Sequence, residues 1–133
     1  MSQFQSSPFL RKALLLDAAA TGATALLLVA GAGMLEALLG LPVALLREAG
    51  LMLIPFVAFV PWVATREQVS RGPVWAIIAA NALWVIASLG LLMSGWVAPT
   101  ALGYTFVIAQ AAVVALFAEL QYAGLRRPIV AGA

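Results

Sequence analysis

Four long apolar stretches leave this chain no way to fold as a water-soluble globule. A helix that crosses a membrane needs about 20 mostly apolar residues to cover a hydrocarbon core of about 30 Å. Residues 13–35, 49–65, 74–93 and 99–122 meet that requirement. The second stretch is the shortest and carries Pro55 and Pro61, yet Arg47-Glu48 and Arg66-Glu67 bracket it as the ends of a minimal span should be bracketed. The remaining charge is too sparse to make a wet surface. Only 9% of the 133 residues are charged and 65% are hydrophobic, where a soluble domain carries about 25% charged residues. The expected fold is an all-α integral membrane protein, an up-down bundle of four transmembrane helices forming a single domain over 1–133.

The connections agree with that layout. Ser7-Pro8 reads as a helix start, with Ser7 as N-cap and Pro8 in the first helical position. Gly40-Leu41-Pro42 breaks the chain, and residues 42–48 read as a short interfacial helix on the membrane surface. The links at 67–72 and 94–98 are short, which predicts antiparallel neighbours for the helices they join. With the spans alternating, one side holds Arg11, Lys12, Arg66, Arg71, Arg126 and Arg127, and the other holds Arg47 alone. Lys and Arg concentrate in cytoplasmic loops, so both termini are expected in the cytoplasm. Trp62, Trp75 and Tyr122 then fall near the inner interface and Trp96 near the outer one, where amphipathic rings are most stable. The stretch 13–29 followed by Ala30-Gly31-Ala32 resembles a signal peptide, but its apolar run exceeds the usual 7–15 residues or so, and it is read as an uncleaved span. An Ala/Leu/Val/Gly-rich chain with more Arg than Lys points to a multi-pass protein of a bacterial inner membrane.

Several function classes lose their chemistry here. Cysteine and histidine are absent, which removes thiolate chemistry, the commonest metal ligand and the commonest general base. No phosphate-binding glycine loop with its lysine occurs. The net charge of +2 is spread without a basic run, so no nucleic-acid partner is expected. No cofactor, metal or catalytic residue is assigned, and the chain is not expected to be an enzyme. The residues identify no family.

Polar side chains within the spans are the informative ones, because each needs a partner away from water. Asp17, Thr21 and Thr24 share one helix face, as do Asn81, Trp84 and Ser88. Gly103, Phe106 and Gln110 share a face of the last span, with Glu119 further along. Asn81, Trp84, Gln110, Thr24 and Ser88 are the candidate cavity residues. The buried indole N–H of Trp84 calls for an acceptor, either Gln110 or a carbonyl released by proline. Pro55 and Pro61 lack the N–H groups that would meet the carbonyls of Leu51 and Val57, which predicts a kinked helix beside the polar set. Such polar groups more often serve as cross-helix hydrogen bonds than as ligand sites. Asp17 and Glu119 are placed about one turn from the boundary, where they snorkel to water or pair with Arg11, Lys12, Arg66 or Arg126.

Two functions fit these observations. One is a non-enzymatic membrane module that binds a membrane protein or a lipid. The other is a small-solute carrier or channel, acting as a homo-oligomer around a polar cavity that opens between the first, third and fourth spans.

Overall fold

The computed structural model describes residues 3–4, 8–66 and 69–126. The readings of Ser7, Glu67 and Arg127 lie outside the described residues. Five helices follow one another: α1 (Pro8–Ala30), α2 (Ala32–Leu39), α3 (Val43–Ala64), α4 (Arg71–Ser94) and α5 (Ala101–Arg126). A two-residue backbone pairing sets Gln3 opposite Ser70 and Phe4 opposite Val69, antiparallel. Helices α1, α3, α4 and α5 are each long and apolar enough to cross a membrane. Their exposed residues include Leu26, Met52, Leu83, Ile86 and Met93, side chains that are at home against lipid tails.

Two boundaries differ from expectation. The first apolar stretch is two helices, divided at Gly31 (φ −103°, ψ 13°), because hydropathy does not register a bend between two apolar segments. Residues 43–48, read as part of a separate surface helix, are the first turns of α3 and continuous with it. Pro42 is the N-cap of that helix, and the Glu36 carboxylate accepts the Val43 N–H at 2.9 Å. Arg47 and Glu48 are exposed on its side rather than at its end. The expected break is present: α2 closes on Gly40 in the left-handed conformation (φ 71°), which glycine adopts without steric cost.

Helix α1 is central, packing along α3 on one side and α5 on the other, while α4 packs against α5. Glycines permit the close crossings. A Cβ on Gly50 of α3 would lie 2.7 Å from Val29 and 2.9 Å from Leu28 of α1, and one on Gly124 of α5 would lie 2.9 Å from Leu10. Consecutive helices α3 and α4, expected as neighbours, touch little. They meet near their connecting loop, where Val60, Val63 and Ala64 join Val74 and Ile77 in a core cluster, and part beyond it. Their short connection brings two ends together but does not dictate packing along the rest of the length.

Both ends of the assembly are tied. At the end where the basic residues gather, Arg11 donates to the Ala64 and Arg66 carbonyls (2.6 and 3.1 Å), and Arg71 donates to the Leu125 carbonyl (3.2 Å). These cations satisfy carbonyls that a helix C-terminus leaves open. Arg66 lies over Trp62 and Arg126 over Tyr122, which also meets Trp75. At the far end, Thr100 caps α5 by accepting the Gly103 N–H (3.0 Å) and donates to the Leu38 carbonyl (2.7 Å). A Cβ on Gly103 would collide with the Leu39 carbonyl oxygen, so α5 begins against the end of α2.

Candidate functional site: a polar cluster beside a lateral cavity

Polar side chains inside the apolar helices fall into two groups. The first is centred on Asp17, which is 0% exposed, as is Gln121, with Asn81 at 4%. Asp17 Oδ1 accepts from the Thr21 hydroxyl (2.9 Å). Its Oδ2 accepts from Asn81 Nδ2 (2.9 Å) and Gln121 Nε2 (2.7 Å). Asn81 Nδ2 also donates to Gln121 Oε1 (3.1 Å). Three neutral donors thus converge on an acceptor-only group, and three helices, α1, α4 and α5, are joined at one point.

This placement corrects the interfacial ion-pair reading of Asp17. Asp17 has no exposed surface through which to reach water, and its partners are the neutral side chains of Thr21, Asn81 and Gln121 rather than a cation. It faces the same side as Leu10, Leu14 and Ala18, all buried. Arg11, one of its expected partners, donates instead to the Ala64 and Arg66 carbonyls. Glu119, by contrast, is exposed on α5, and no ion pair to it occurs among the described residues.

Gln121 is the residue that sequence reasoning missed. A signal for it existed: it stands eighteen residues, five full turns, beyond Gly103 and so shares that residue's face. The buried positions Val107 and Ala111 mark the same stripe.

The second group lies nearer the far end. Trp84 Nε1 donates to Gln110 Oε1 at 2.8 Å, so Gln110 is the acceptor of the indole. Gln110 Nε2 donates to Ser88 Oγ (3.0 Å) and to the Val107 carbonyl (2.9 Å), and Ser88 donates to the Trp84 carbonyl (2.7 Å). Thr24 satisfies itself by donating to the Ala20 carbonyl one turn earlier (2.9 Å). Thr24, Asn81, Trp84 and Gln110 all line a cavity of 660 Å³, which adjoins a second of 300 Å³ that Ser88 also lines. The walls are otherwise apolar and aromatic, with Phe56, Phe106 and Phe117 among them.

The cavity occupies the space where α3 and α4 part. Its floor is formed by α1 and α5. Met52 of α3 and Leu83 of α4, on its rim, are 70% and 66% exposed, so it opens sideways, toward the medium around the helices. Besides the three spans expected to form a cavity, α3 contributes a wall. The prolines do not border it: Pro55 and Leu51 are exposed, and α3 faces the cavity with Met52, Leu53 and Phe56. Pro61 lies near the basic end, where its carbonyl accepts from the Thr65 N–H and hydroxyl.

Compared with protein-family models, curated proteins and solved structures, the chain matches none.

Proposed function

We propose that this protein is a non-enzymatic module of a bacterial inner membrane that binds a compact apolar or amphipathic molecule drawn from the bilayer. The observation that carries the reading is the cavity between α3 and α4: apolar-walled, open on its side, and furnished with a few polar groups. Its volume of 660 Å³ is in the range of small-molecule sites, about 300–1,000 Å³. An opening between helices that border lipid admits a molecule already dissolved in the membrane, without passage through water. The basic end is the cytoplasmic one in this reading, by the distribution of Lys and Arg. A reporter fused after Arg127 is then active only in the cytoplasm, and periplasmic activity would reverse the orientation.

The test is native mass spectrometry of the protein extracted with its surrounding lipid, beside the variant Ala87→Phe. Ala87 lines both cavities, and a phenyl ring there fills space without removing any hydrogen-bonding side chain. Retention of a small amphiphile by the parent chain and its loss from the variant is the expected result. Equal retention by both places the bound molecule elsewhere.

A second reading is a homo-oligomeric carrier, favoured by the fully buried carboxyl group of Asp17, which is bonded to the cavity-lining Thr21 and Asn81. Intramembrane acids commonly mark substrate or proton paths. On this reading Gln110→Leu abolishes uptake by proteoliposomes while the chain stays folded.

A further inference from the structure

Asn81 uses its amide nitrogen entirely inside the cluster, toward Asp17 Oδ2 and Gln121 Oε1. Chemistry determines this orientation, since only the NH2 side of an amide can face a carboxylate. Its Oδ1 has no hydrogen-bond partner among the described residues. Every fully enclosed side-chain nitrogen or oxygen among the described residues has one, so the small exposed part of Asn81, 4% of the residue, includes that oxygen. The surface that Asn81 touches is the wall of the 660 Å³ cavity. One side chain more than nine-tenths buried therefore offers a free acceptor to a largely apolar space, in which Thr21, Thr24, Trp84 and Gln110 are already hydrogen-bonded.

This acceptor is stronger than an ordinary amide oxygen. An N–H bonded to a carboxylate polarises its own amide and moves negative charge onto Oδ1, an effect that grows where the dielectric is low. The partners of Asp17 are neutral. No cation among the described residues bonds to it. The same cavity is lined by Phe56, Trp84, Phe106 and Phe117, and aromatic faces attract cations. A group that carries positive charge and an N–H donor on an apolar body complements all three features. An alcohol uses only the acceptor, and a quaternary ammonium uses only the charge and the rings.

We infer that the molecule this cavity takes is a compact amphipathic amine. Its protonated nitrogen donates to Asn81 Oδ1, and its apolar body lies among the rings. The inference rests on the reading of the cavity as a binding site and adds the chemistry of the head group.

The full chain, placed in phosphatidylcholine nanodiscs with Trp62, Trp75 and Trp96 each replaced by Phe, keeps Trp84 as its one reporter on the cavity wall. Its emission is followed while octylammonium, octanol or octyltrimethylammonium is added. Octylammonium is expected to half-saturate at a concentration at least tenfold below either analogue. Asp17→Asn should remove that advantage with the fold intact. The new amide can accept from Asn81 and Gln121 through its oxygen and donate to Thr21 through its nitrogen, so only the charge is lost. Half-saturation at one concentration for all three compounds, abolished by Ala87→Phe, would overturn the amine and leave the cavity reading standing. Preference for octylammonium that survives in Asp17→Asn would overturn the role given to the carboxylate. No response of Trp84 to any of the three overturns both the amine and the cavity reading.

Discussion

The Asp17 cluster and the Trp84–Gln110–Ser88 set are built from similar residue types, but they do different structural work. The first joins α1, α4 and α5 through side chains that are nearly or wholly buried, and it is built around an acid. The second links only α4 to α5, is neutral, and is partly open to the cavity. A buried carboxylate that loses a donor has no substitute in an apolar interior, whereas a neutral amide beside a cavity finds other partners. Polarity inside an apolar helix thus says little until the number of helices bridged, and the charge at stake, are known.

This contrast can be broken by substitution. The largest effect is expected from Gln121→Leu, which strips one donor from Asp17 and the acceptor of Asn81. It should lower unfolding stability by about 3 kcal/mol in detergent micelles, the upper range for an orphaned polar group. A loss equal to that of Gln110→Leu would erase the distinction between the two sets. Gly103→Ala comes next, at about 2 kcal/mol, the cost of overpacking a tight contact. It tests whether the far end of the molecule is held by the close approach of α5 to Leu39 rather than by its polar set. An unchanged melting temperature would sink that view.

Gln110→Leu should cost about 1.2 kcal/mol, since it removes two neutral hydrogen bonds between helices, each worth about 0.6 kcal/mol. Its distinctive signature is spectroscopic, a shift in Trp84 emission as the indole loses its acceptor. Glu119→Gln closes the series. An exposed residue with no partner among the described residues should change stability by less than about 0.5 kcal/mol, and a larger loss would reveal a contact for this acid in the assembled membrane.

Particular residues show how far the sequence could be read. Trp84 demanded an acceptor by its chemistry, and Gln110 was within reach on the next helix, so that pair was legible in advance. Asp17 was not, because the side of α1 that carries it is covered by α4 and α5, and nothing local in the chain records which helix face is covered. Gln121 was hidden by its position near the basic end, where a polar residue draws no notice, although its helical phase with Gly103 pointed inward. The divergence of α3 from α4 had no local signal at all. It results from where each helix finds its best partner: Gly50 and Gly124 let α3 and α5 approach α1 closely, and α4 packs on α5 instead.

What the amino-acid order determined by itself is the set of four apolar helices, the gathering of basic residues at one end, and the break at Gly40. Those follow from hydropathy, charge and backbone preference, which act residue by residue along the chain. Only the tertiary structure decided that Asp17 would be buried among Thr21, Asn81 and Gln121, that Asn81 would keep one oxygen for the cavity, and that the cavity would lie between α3 and α4. These depend on contacts between residues as far apart in sequence as Asp17 and Gln121, and such contacts exist only once the helices have chosen their neighbours.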